Sequence, residues 1–177
     1  ITPQGGGDSA ANTEPGTTIE RTTTFLVKHQ EDQNTMELIL WRHADAENSY
    51  PDAPRKLTSK GLDQAQRMAD WLRAKLPEHT RVIVSPAVRT QQTAAALTEH
   101  FTTVDSIGPG ANVQAVLNAA GWPAASGAVV VVGHQPTIGE IVRYLIPVVP
   151  AGLSVRKGSV WWIRCQEKDN GIEPVLH

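Results

Sequence analysis

With 177 residues and 40% apolar content the chain can fill the core of one domain, and a net charge of −2 argues against a surface built to grip nucleic acid. Its single cysteine, Cys165, cannot form an internal disulfide and reads as a small filler in a late strand. The apolar runs fall well short of the ~20 residues that cross a bilayer, and the first residues lack a signal-peptide layout, so the expectation is a soluble cytoplasmic protein with neither a membrane nor a nucleic acid as partner.

Residues 1–35 are rich in Gly, Ser, Thr, Asn, Pro and Glu, with apolar content confined to Phe25, Leu26 and Val27. Such a segment cannot bury enough surface to offset its ordering entropy and reads as a flexible extension or an expression remnant. A lesser alternative is that Thr22 to Lys28 adds an edge strand. Met36 stands where a start residue would, and residues 36–177 are expected to form the domain.

From Met36 onward apolar runs alternate with helical patterns, which predicts an α/β fold of three layers, α/β/α, around a mostly parallel sheet. Leu38 to Trp41 is the first strand. The loop from Ala44 to Lys56 carries Pro51 and Pro54 and cannot be a continuous helix. Thr58 suits an N-cap, and Leu62, Ala65, Ala69, Leu72 and Leu76 recur at helical spacing until Pro77. Arg81 to Val84 is the second strand, and Ser85-Pro86 has the chemistry of an N-cap followed by a first helical residue, with the helix running to about His100. Thr103 to Ile107 suggests a third strand. A helix with Val113, Val116 and Leu117 on one face follows Gly108-Pro-Gly110 and is closed by Gly121 and Pro123. The unbroken apolar run Ala128 to Val132 marks a central strand covered on both faces. Pro136 opens a helix with Ile138, Ile141, Val142 and Leu145 along one side. Ser159 to Ile163, Asp169-Asn-Gly171 and Ile172 to Leu176 read as an antiparallel C-terminal hairpin.

Three strands end in polar groups able to meet: Arg42-His43, Ser85-Pro-Ala-Val-Arg89 and Gly133-His134. In open α/β sheets ligands bind outside the carboxyl ends of the strands. A phosphoryl group needs fixed cations or N–H donors around its oxygens and an in-line nucleophile. Arg42, Arg89 and His134 suit the first task, arginine because its planar fork engages two oxygens at once. Arg89 sits in the first turn of its helix, where the macrodipole disfavours a cation, and a local rule broken at a strand end suggests function. His43 suits the second task, since a neutral imidazole keeps a lone pair. Singly, each is more often a surface or structural residue; together, after three separate strands, they argue for a phosphate site. A metal held by His43 and His134 is the rival, but two arginines in the same site would repel a divalent cation and no carboxylate or cysteine cluster accompanies them, so neither metal nor cofactor is expected.

Arg42-His43, Leu57-Thr-Ser-Lys-Gly61-Leu-Asp-Gln-Ala65, Ser85-Pro-Ala-Val-Arg89-Thr-Gln-Gln-Thr-Ala94 and Val132-Gly-His134-Gln-Pro136 resemble, in order, the motifs of the histidine phosphatase superfamily, and within it the small bacterial phosphohistidine phosphatases of the SixA type. The resemblance spans about Met36 to Cys165 and implies a phosphoglycerate mutase-like fold, His43 as the phosphorylated nucleophile, and Arg42, Arg89 and His134 as the phosphate pocket. Two departures stand out. Ala44 replaces the glycine that usually follows the nucleophile, which restricts the backbone there. Larger members supply a glutamate general acid from an inserted segment that this chain is too short to hold. Asp52 matches an aspartate of the small members and is the candidate proton donor, though a solvated turn Asp next to Pro51 would look the same; Arg55 could contact phosphate or substrate.

The expectation is therefore a phosphohistidine phosphatase acting on a histidine-containing phosphoprotein domain through phospho-His43. The alternatives are a phosphatase for small phosphate esters or nucleotides, and a catalytically weak phosphoprotein-binding module.

Overall fold

The computed structural model describes residues 35–168 and 171–176. The expectations for residues 1–34, including an edge strand at Thr22 to Lys28, and for the Asp169-Asn170 turn lie outside the described residues. The elements are β1 (Met36–Arg42), α1 (Ser59–Arg73), β2 (Arg81–Val84), α2 (Val88–Ala95), β3 (Thr102–Thr103), a 3-10 helix (Asp105–Ile107), α3 (Val113–Ala120), β4 (Gly127–Gly133), α4 (Thr137–Leu145), β5 (Val160–Lys168) and β6 (Gly171–Leu176). Six strands form one sheet in the order β3-β2-β4-β1-β5-β6. The first four in that order run parallel, and β5 and β6 join antiparallel.

The sheet is covered on both faces because its central strands are apolar over Leu38 to Trp41 and Ala128 to Val132. Alternate residues point to opposite sides: Leu38, Leu40, Val129 and Val131 pack with Val116, Leu117, Ile138 and Ile141. Ile39, Trp41, Val130 and Val132 pack with Ala69, Leu72 and Ala94 on the other face. This is the expected three-layer arrangement. Cys165 is buried in the first of these cores. Among the described residues no helix is long and apolar enough to cross a membrane.

Several boundaries differ from the sequence reading. Helix α1 starts behind Thr58, whose side chain accepts a hydrogen bond from the Gly61 N–H, but it ends at Arg73 and Leu62 faces solvent. Its buried stripe is Gly61, Ala65, Ala69 and Leu72: Gly61 and Ala65 meet the loop after β1, and Ala69 and Leu72 meet the sheet. Ser85-Pro86 does not cap α2: the N-cap is Ala87, without a side-chain bond, and the helix ends at Ala95. The third strand shrinks to two residues, and the Asp105–Ile107 stretch coils into the 3-10 turn. Strand β4 lies between β1 and β2 in the sheet order, so the residues after all three converge on one edge.

Candidate active site

The three strand ends bring Arg42, His43, Ser85 and His134 together, with Arg89 from the first turn of α2. The His43 N–H bonds to the Gly133 carbonyl at 3.1 Å and the Ser85 N–H to Val132 at 3.1 Å, so the parallel ladder itself sets the spacing. The two imidazoles lie 5.4 Å apart, centre to centre. Each residue is only 6% exposed, so the nucleophile candidate is recessed and not at an open strand end.

His43 Nδ1 lies 2.7 Å from the Ala44 carbonyl oxygen. A carbonyl can only accept, so Nδ1 carries the proton and Nε2 keeps the lone pair. Burial, opposed by this hydrogen bond and assisted by the charges of Arg89, Arg42 and Lys157, lowers the His43 pKa to about 4. The ring is neutral at pH 7. Alanine at position 44, in place of glycine, still presents its carbonyl to the ring, while its N–H donates to Thr93 Oγ1 at 3.1 Å.

The backbone after His43 is clamped by residues of the second and third motifs. The Asp45 N–H donates to Gln64 Oε1 at 3.0 Å, and the Asp45 carbonyl accepts from the Thr58 N–H at 3.1 Å. The Leu57 N–H donates to Gln92 Oε1 at 2.7 Å. A Cβ on Gly61 would stand 1.9 Å from the Asp45 carbonyl oxygen, so only glycine lets α1 approach this loop. Lys157 reaches across to Asp45 at 2.7 Å and holds that carboxyl below its usual range. Sequence reading gave Gly61, Gln64, Gln92 and Thr93 no task; they contact positions 16 to 49 residues away, a separation no local pattern reveals.

Arg89 is 4% exposed and points its fork at three acceptors. It donates to the Asp52 carbonyl at 2.9 Å and to the Asp52 carboxylate at 2.9 Å, and one nitrogen lies 3.4 Å from His134 Nδ1. Asp52 is shared with Arg55 at 2.8 Å, and Arg55 also donates to the Glu47 carbonyl. The hydrogen bond from Arg89, with the charges of Arg89 and Arg55 beside it, holds the Asp52 carboxyl below its usual range. Asp52 and Arg55 thus do reach the site, where they face each other and Arg89. Arg42 donates to the Val155 carbonyl, and the Nε atoms of Arg42 and Arg89 are buried without a partner among the described residues. His134 Nε2 lies 2.6 Å from Ser85 Oγ. Burial and the charge of Arg89 lower its pKa to about 3, so this ring too is neutral at pH 7.

Two recessed neutral imidazoles flanked by two arginines are an arrangement that can hold an anion beside a nitrogen lone pair. Residues 38–107 match the model of the histidine phosphatase superfamily (branch 1). The chain is 31% identical over 126 residues to phosphohistidine phosphatase SixA of Escherichia coli (strain K12), covering 63% of this chain and 75% of that protein. The chain belongs to the histidine phosphatase superfamily. Its fold overlays a protein assigned as phosphohistidine phosphatase SixA in Nakamurella multipartitia with a TM-score of 0.66 and 30% identity, over 81% of this chain and 94% of the other. The protein histidine phosphatase SixA in complex with tungstate overlays at a TM-score of 0.63 with 24% identity, over 80% and 94% of the two chains. The resemblance seen in the motifs is therefore met by the whole domain, and the phosphoglycerate mutase-like fold is that of a phosphatase in this superfamily.

Proposed function

We propose that this histidine phosphatase removes the phosphoryl group from phosphohistidine on a protein domain, through a covalent phospho-His43 intermediate. The observation that carries the reading is the fixed tautomer of His43: Nδ1–H is held by the Ala44 carbonyl, and Nε2 has no protein partner among the described residues. The Nε2 lone pair attacks phosphorus while the bond from phosphorus to the leaving imidazole breaks, and the leaving nitrogen takes a proton. Water then attacks phosphorus, the bond to His43 breaks, and inorganic phosphate departs. Arg42, Arg89 and His134 hold the phosphoryl oxygens through both steps.

Paired with Arg89 and Arg55, Asp52 is a carboxylate and has no proton to give. A phosphoryl dianion that takes over Arg89 would remove the bond that keeps Asp52 acidic and place a like charge beside it, both of which raise its pKa. Asp52 is then the proton donor of the first step, and Arg55 the residue that keeps it near. An imidazole leaving group on a phosphorus–nitrogen bond asks less of this donor than an alkoxide does, which favours phosphohistidine over phosphate esters. The SixA proteins of Escherichia coli and Nakamurella multipartitia carry phosphohistidine in their names, which supports the same reading.

Turnover of a phosphorylated histidine-containing phosphotransfer domain, measured beside a panel of aryl, alkyl and nucleotide phosphates, tests this. The expected result is a higher kcat/KM on the phosphoprotein than on any ester. A preference for one small ester supports the alternative substrate class, and binding of the phosphoprotein without turnover supports a binding module; either overturns the proposal.

A further inference from the structure

Ser85 is completely buried and belongs to none of the roles above, yet it makes the shorter of the two contacts to His134. Its backbone N–H is fixed to Val132 and its carbonyl accepts from Thr90 Oγ1 at 2.9 Å, so Oγ can reach the ring without serving as the helix cap.

The neighbours of His134 demand opposite things of it. Arg89 faces Nδ1 at 3.4 Å, and a guanidinium can only donate. A neutral ring must then present its lone pair at Nδ1 and carry its proton on Nε2, which donates to Ser85 Oγ. A phosphoryl oxygen seated against the same ring edge can only accept, and requires the N–H at Nδ1. Nε2 must then become the acceptor. A backbone carbonyl opposite Nε2 would forbid this reversal, and an amide N–H would forbid the starting state. A hydroxyl permits both because it is donor and acceptor at once.

We propose that Ser85 is a positioning residue whose hydroxyl reverses its hydrogen bond to His134, so that the ring can offer a lone pair to Arg89 and, once a phosphoryl group binds, an N–H to that group. One proton leaves Nε2 for water and one is taken up at Nδ1, so the charge of the ring does not change. The inference rests on the reading of Arg89 and His134 as phosphate ligands.

The test is the tautomer of His134, read by long-range proton–nitrogen NMR on nitrogen-15-labelled protein, free and with excess sodium tungstate as the oxyanion. The expected result is Nε2–H in the free protein and Nδ1–H with tungstate. Ser85→Ala should bind tungstate about tenfold more weakly, the scale of one lost hydrogen bond, and Ser85→Thr, which keeps the hydroxyl, should restore most of it. The same tautomer in both states, or a ring protonated on both nitrogens with tungstate, overturns the inference alone. Tungstate that leaves the His134 and Arg89 signals unmoved overturns the phosphate-site reading and this inference with it. Should Ser85→Ala fail to fold, the comparison of the two wild-type states still decides.

Discussion

Replacing Arg89 with alanine separates the tasks of two residues that the structure binds to each other. Arg89 is 4% exposed and directs both terminal nitrogens into the site, toward the Asp52 carbonyl, the Asp52 carboxylate and His134. Removing one preorganised donor from a site of this kind costs a factor of ~100 or more in turnover, about 2.7 kcal/mol of transition-state stabilisation. The loss in stability should be much smaller, because Arg89 shares the site with Arg42 and its Nε has no partner among the described residues. The melting temperature without substrate is therefore expected to fall only slightly. Asp52→Ala should cost less than Arg89→Ala on phosphohistidine, where the leaving group is already good. On aryl and alkyl phosphates its effect should grow with leaving-group pKa. Steady-state kinetics of both variants on both substrate classes, with thermal melts, measure all of this. A loss below about fivefold for Arg89→Ala, or equal losses for both variants on phosphohistidine, would refute the reasoning.

Three further outcomes follow from the same geometry. The pKa values of His43 and His134, lowered to about 4 and about 3, mean that the unfolded chain binds more protons than the folded one below pH 6.5. Stability should therefore fall as pH drops from 6.5 toward 4, by up to ~1.4 kcal/mol per pH unit for each ring; urea midpoints check this, and an NMR titration of either ring with a midpoint near 6.5 would contradict it. Gly61→Ala should destabilise the protein by ~1–3 kcal/mol and lower activity, since the added methyl meets a fixed carbonyl; helix propensity alone predicts ~1 kcal/mol of stabilisation, so the sign of the shift in melting temperature decides. We propose that residues 1–35 contribute neither to catalysis nor to the domain core, so their deletion should leave both melting temperature and turnover nearly unchanged, and a fall of several degrees would place them in the fold.

The sheet and its two helical layers were legible because β1, β2 and β4 are short apolar runs and α3 and α4 show clear periodicity. The meeting of Arg42, His43, Arg89 and His134 was also legible, since each directly follows or lies near the carboxyl end of a parallel strand. What remained hidden was how polar side chains are shared over long distances. Ser85-Pro86 has the local chemistry of a helix start, but its hydroxyl bonds to His134, 49 residues away, and α2 begins later. Asp52 and Arg89 stand 37 residues apart and gave no sign of being an ion pair. Leu62 was misplaced for a related reason: Gly61 must face Asp45, and that contact sets the rotation of α1 and turns Leu62 to solvent.

The central claim is that His43 carries the phosphoryl group during turnover. Brief mixing of the enzyme with a radiolabelled phosphohistidine domain, followed by alkaline quench and peptide mapping, reads it directly. The account predicts an acid-labile phosphate on His43 alone, absent from His43→Ala, which should be folded and inactive. Label on any other residue, or turnover retained in His43→Ala, would contradict it.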